Sequence, residues 1–152
     1  MSILFLVARL AFVAIFLVSG IQKLISISAT AADIQAKVTI PPALSDLAAS
    51  AQAATGFTPY ELLAIATGAV EIVFPLLIVF HIAMRFASLV MLIFVAVATY
   101  LMHDFWNMTD AAAQSANMVQ ALKNLSIMGG FLILAVLGRW HPGLQDEDDY
   151  PA

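Results

Sequence analysis

The stretch YELLAIATGAVEIVFPLLIVFHIAM, Tyr60 to Met84, decides the fold. Past Glu61 in its first turn, Glu71 is its one Asp, Glu, Lys or Arg residue. At ~1.5 Å per residue such a run is long enough, as helix, to cross the roughly 30 Å hydrocarbon core of a bilayer. Working outward, runs of the same kind occur at Ile3 to Ile25, Phe86 to His103 and Val119 to Trp140. With 62% hydrophobic and only 11% charged residues, and a mean hydropathy of +0.97, the chain stands apart from soluble domains, where about a quarter of residues are charged.

These runs predict an all-α integral membrane four-helix bundle forming one domain over 1–152. Its helices fall at about 3–25, 60–84, 86–104 and 119–140, with a long outer loop after the first helix and an acidic tail over 143–152. Backbone groups in lipid must be satisfied within a helix or a closed barrel, and the alternation of a membrane barrel strand is absent. The first run reads as a retained helix and not a signal peptide, because Arg9 interrupts it, no basic residue precedes it and no small-x-small cleavage signal follows it. In the loop, PPALSDLAASAQAAT (Pro41 to Thr55) has a Pro start signal and then Leu44, Leu47, Ala48 and Ala51 at helical spacing, which predicts a short amphipathic surface helix.

Arg85 and Arg139 stand at the ends of spans on the side of the termini, whereas the opposite loops hold Asp33, Asp46, Asp104 and Asp110 against Lys37 alone. Counting Lys and Arg, this places both termini in the cytoplasm of a multi-pass bacterial inner-membrane protein. The chain has no cysteine, which excludes a disulfide relay, iron–sulfur ligation by this chain and thiolate catalysis. His81 and His141 belong to one membrane face and His103 to the other, so bis-histidine haem is not expected, and no metal site is expected at His103, Asp104 and Glu71, because Glu71 lies too deep to join them. No nucleic-acid partner is expected.

An ionisable group inside a bilayer costs at least ~2.5 kcal/mol and therefore needs a partner or a purpose. Arg9, Phe16, Gly20 and Lys23 share one face of the first helix, with Arg9 about 10 Å in and Lys23 near the outer end. Gly68, Glu71 and Pro75 share a face of the second, Glu71 near the midplane, and Pro75 cannot donate to its carbonyl. TYLMHDFWNMT (Thr99 to Thr109) closes the third helix with His103 and Asp104, and the fourth adds Asn117, Gln120, Lys123 and Asn124. The expected result is a polar cluster at the outer end, with His103 and Asp104 turned toward Lys23 and Lys123, Glu71 beneath it and Arg9 deeper. The candidate ligand-binding residues are Arg9, Lys23, Glu71, His103, Asp104, Lys123 and Asn124. The same residues fit a structural seam: the lysines snorkelling, Glu71 paired with Arg9 to fix helix register, Phe105 and Trp106 as an aromatic belt, and Gly20, Gly68, Gly129 and Gly130 as close-packing points.

ARLAFVAIFLVSGIQKL (Ala8 to Leu24), GFTPYELLAIATGAVEIVFPLLI (Gly56 to Ile78), HDFW (His103 to Trp106) and KNLSIMGGFLIL (Lys123 to Leu134) occur in the order in which the DoxX family carries such elements, and in them the chain resembles that family of small four-helix membrane proteins. The resemblance implies a bundle linked to membrane redox chemistry, as the small subunit of a thiosulfate:quinone oxidoreductase or as a membrane partner of sulfur-transfer and superoxide-removing proteins. The longer first loop and the acidic tail depart from the family pattern, so no partner is carried over. The reading that follows is a redox accessory subunit binding a quinone or a partner oxidoreductase, without assigning catalysis to this chain. A non-catalytic anchor or assembly subunit and a small transporter are the alternatives, and an oligomer is compatible with each.

Overall fold

The computed structural model describes residues 3–138. Six helices follow one another: α1 (Ile3–Ile25), α2 (Ile27–Lys37), α3 (Ser45–Thr55), α4 (Pro59–Val79), α5 (Met84–Met102) and α6 (Ala111–Leu137). Short 3-10 turns at Pro42–Leu44 and Phe105–Asn107 interrupt the connections, and there is no strand among the described residues. Helices α1, α4, α5 and α6 are long and apolar enough to cross a membrane. Trp140 and the 143–152 tail lie outside the described residues.

The spans bury an apolar core with a few small and polar residues set into it, and turn further large apolar side chains outward. Helix α1 buries Arg9, Val13, Phe16 and Gly20, spaced four, three and four apart, while Leu4, Phe5, Leu10, Ile15 and Val18 point outward. Helix α4 buries Ala64, Gly68, Glu71, Pro75 and Ile78 with the same alternation of threes and fours. That is the seam of two helices running alongside each other. Against lipid tails an outward leucine costs nothing, so the driving force for pairing is close packing between the seams. At Gly20 a Cβ would come within 2.8 Å of the Gly68 carbonyl oxygen and 3.0 Å of the Glu71 Cβ. The α1–α4 contact therefore rests on a backbone approach that only glycine permits. Gly130 sits under the Phe12 ring, whose tip lies 2.6 Å from where a Cβ would stand, whereas nothing lies within 4 Å of such a position at Gly129. Gly129 is thus not the packing point that its place in the sequence suggests.

Helix α1 packs along α4 and α5 along α6, and α4 against α5 joins the two pairs. Across the remaining side, α1 and α6 meet through aromatic rings: Phe131 stands edge-on to Phe12 at 4.9 Å and tilted to Phe16 at 5.4 Å. Such spacing is favourable for ring quadrupoles.

The helix layout differs from the sequence expectation in several places, among them the end of α5 at Met102 rather than near Asp104. Helix α4 ends at Val79 and not near Met84, because the chain reverses through Phe80–Ala83 with His81 (φ 59) and Ala83 (φ 45) in the left-handed region, a turn that an unbroken apolar run conceals. Helix α6 begins at Ala111, eight residues before its apolar run, because Asp110 caps it by accepting from the Ala113 amide at 2.7 Å. The long first loop is mostly helical: α3 falls inside the predicted surface helix, and α2, Ala-rich and of low hydropathy, packs on α4 and buries Ala31. The start of α4 is set by a capping box in which Thr58 and Glu61 satisfy each other's backbone amides, with Pro59 in the first turn.

Replacing Gly20 by alanine should force α1 and α4 apart and lower stability by about 1–3 kcal/mol. Gly129→Ala should be neutral or stabilising by up to about 1 kcal/mol. Thermal unfolding of the two purified variants in the same detergent checks the contrast.

Candidate functional site

The loop end of the bundle, where α1 hands over to α2 and α5 to the 105–107 turn, holds the chemistry. Side chains on a helix lean toward their own N-terminus. In antiparallel α1 and α4 this makes Lys23 lean back toward Ser19 while Glu71 leans up to meet it. The Lys23 Nζ donates to both carboxylate oxygens of Glu71 at 2.6 Å and to the Ser19 hydroxyl oxygen at 2.9 Å. An ammonium has three N–H donors, and all three are taken. The Glu71 side chain is 7% exposed and that of Lys23 27%, so the carboxylate is dry and the ammonium only partly so.

The same leaning rule carries Arg9 away from Glu71. Its Nε donates to the Phe5 carbonyl and its Nη1 to the Ile78 carbonyl, both at 3.2 Å. Arg9 thus neutralises the carbonyl-rich C-terminus of α4 at the opposite end of the bundle. The expected Arg9–Glu71 register pair is replaced by Lys23–Glu71, and Arg9 does not share a site with the other candidates.

At the end of α5, His103 is the first residue past the helix. Its Nδ1 lies 3.1 Å from the Asn117 side-chain oxygen. Since the Asn117 amide nitrogen donates to the Ala113 carbonyl at 3.0 Å, the oxygen must face the ring, and His103 donates through Nδ1. One turn deeper, the Asn124 amide nitrogen donates to the Thr99 hydroxyl at 2.8 Å, and that hydroxyl donates to the Val95 carbonyl at 2.6 Å. These bonds fix which way each amide points, as bond networks must where hydrogens are not seen.

Between these groups lies a cavity of about 270 Å³, close to the lower end of the ~300–1,000 Å³ typical of small-molecule pockets. All four spanning helices contribute to it. Its walls are mainly apolar, among them Phe16, Phe94 and Ile127, and its polar groups are Ser19, Lys23, Glu71, His103 and Asn124. Beside it, the Phe12, Phe16 and Phe131 rings stand between α1 and α6.

Besides Arg9, two further candidates, Asp104 and Lys123, fall outside it. Asp104 turns away to Lys37 at the end of α2, 3.3 Å distant, with both side chains about a third exposed, an arrangement worth at most about 1 kcal/mol. It does not face Lys23 or Lys123, because the helix has already ended and the chain has entered the 105–107 turn. Lys123 is exposed on α6 and lines no part of the cavity. Trp106 stacks near Tyr100 at 5.6 Å and Phe105 at 5.1 Å, outside the cavity, as belt residues do. Ser19 was missed by the sequence reading, although its place four residues before Lys23 is the signal that could have found it.

The DoxX family's sequence profile matches residues 4–104. The chain belongs to the DoxX family. It is also 28% identical over 136 residues to the "Inner membrane protein YphA" of Escherichia coli (strain K12), an alignment covering 90% of this chain and 84% of that protein. No solved structure matches it. As a DoxX protein with four apolar spans it is a multi-pass membrane protein. Lys23, Glu71 and His103 fall within the family's matched region, and Asn124 lies beyond it.

Removing one partner of a dry ion pair strands the other charge, so Lys23→Met and Glu71→Gln should each destabilise the protein by about 3–5 kcal/mol. The Lys23→Met, Glu71→Gln double variant should lose clearly less than the sum of the two singles. Unfolding free energies of the four proteins in a double-mutant cycle test this, and strict additivity would remove the pair from the account.

Proposed function

We propose that this DoxX protein is a redox-associated accessory subunit of the inner membrane that holds a quinone ring in the cavity between its four spans and presents it to a partner oxidoreductase. The observation that carries the reading is the cavity itself: mainly apolar walls from all four spans, with an ion pair between α1 and α4, a histidine at the end of α5 and an asparagine on α6. A ring with oxygens at opposite ends needs apolar faces for its body and hydrogen-bonding groups at its edge. His103 lines the cavity, and in its neutral form a ring that donates through Nδ1 keeps Nε2 as a proton acceptor. The inner-membrane location follows the name of the Escherichia coli relative, with both termini cytoplasmic by the distribution of Lys and Arg. Electrons would enter or leave through the partner, and this chain's part is to bind the ring and accept or return protons.

An assembly role has one observation in its favour, the complete use of the Lys23 donors within the protein. The two readings separate on Ala98, which lines the cavity and takes part in no ion pair. Wild-type protein extracted gently from its native membranes should retain quinone detectable by mass spectrometry, together with a stoichiometric oxidoreductase. Ala98→Phe, which fills the cavity, should lower retained quinone at least about tenfold and should keep the partner. Equal quinone in both proteins would contradict the cavity as its site, and partner without quinone in either would favour assembly.

A further inference from the structure

Resting on the ring-binding reading of the cavity, we propose that it selects ligands that donate hydrogen bonds: a hydroxylated aromatic ring, the hydroquinone in preference to the oxidised quinone. The hydrogen-bond ledger of the cavity wall decides this. The one cationic donor, Lys23, has its three N–H groups taken by Glu71 and Ser19. The carboxylate it faces is different: two oxygens offer about four lone-pair positions, of which Lys23 takes one on each. Glu71 therefore remains an anionic acceptor at the cavity wall.

His103 gives its Nδ1 hydrogen to Asn117, and so its neutral ring offers Nε2, an acceptor. Asn124 spends one N–H on Thr99 and keeps its amide oxygen and a second N–H. Against the acceptors on Glu71, His103 and Asn124 stand only neutral donors, the Ser19 hydroxyl and the remaining Asn124 N–H. A quinone carbonyl accepts and finds only those. A hydroquinone hydroxyl donates and finds a carboxylate, and charge-assisted bonds are roughly twice as strong as neutral ones. The pattern inverts the simple expectation that a lysine in such a pocket is there to hold a carbonyl.

The test uses the purified full-length chain in lipid nanodiscs under anaerobic conditions, with three probes of one ring size: duroquinone, durohydroquinone and the dimethyl ether of durohydroquinone. The methyl groups keep the quinone from reacting with lysines, and the ether keeps the oxygens but removes the donors. Affinities from equilibrium dialysis should rank durohydroquinone at least about tenfold above both others. His103→Leu should narrow that preference to about threefold without changing the ether, and His103→Gln, which restores an acceptor, should recover part of it. Equal binding of the three probes, or tighter binding of duroquinone, would overturn the donor selectivity while leaving the cavity as a ring site. Binding of none would overturn the ring site itself. An unchanged preference in His103→Leu would contradict the acceptor role given to Nε2.

Discussion

An ammonium and a carboxylate 2.6 Å apart, inside a bundle whose spans turn many large apolar side chains outward, constrain everything near them. Neither charge is tolerable there alone. Their pairing requires α1 and α4 to lie close and in one register, and that closeness is possible only because Gly20 and Gly68 bring backbone against backbone. Ion pair and glycine contact are therefore one device: the glycines permit the approach and the charges select the register. With α1 fixed to α4, and α5 to α6 by their own seam, the Phe12, Phe16 and Phe131 rings stand between the two pairs on one side. The space left at the loop end is the cavity.

Charge is separated along the bundle by the same geometry. Arg9 serves the C-terminus of α4 at the hairpin end, where the carbonyl dipoles favour a cation, and Lys23 serves Glu71 at the loop end. Between them the seam is occupied by Val13, Phe16 and Pro75, so the two polar levels stay distinct. Pro75 adds a further feature: within α4 it cannot donate to the Glu71 carbonyl, so the residue carrying the buried carboxylate also carries a backbone acceptor without its helical partner.

The spans were legible because length and hydropathy are properties of a segment alone. The inward face of α1 was legible too, since Arg9, Phe16, Gly20 and Lys23 fall together at 100° per residue and three of them are buried. Which cation meets Glu71 was not, because that depends on the relative register of two helices, and the sequence reading placed Arg9 and Glu71 by depth without the lean of side chains toward their N-termini. Asp104 failed for a different reason. Its placement presumed that the helix continued through Asp104, whereas α5 stops at Met102 and Lys37, on a helix that hydropathy could not reveal, captures the carboxylate. Lys123 and Gly129 failed in the same manner: each lies on the outward side of α6, and a helix with so few buried positions gives no periodic signal of which side faces in.

The pairing that organises this account can be measured directly in bilayers by solid-state NMR, through the dipolar coupling between ¹⁵N-labelled lysine Nζ and ¹³C-labelled glutamate Cδ. Lys23→Arg serves as the control that assigns the signal to Lys23 rather than to Lys37 or Lys123. A coupling matching the 2.6 Å Nζ–Oε contacts, lost in the control, is the expected result. A Lys23 signal with no coupling to Glu71 would contradict the account and leave the cavity without the anionic wall that its proposed ligand requires.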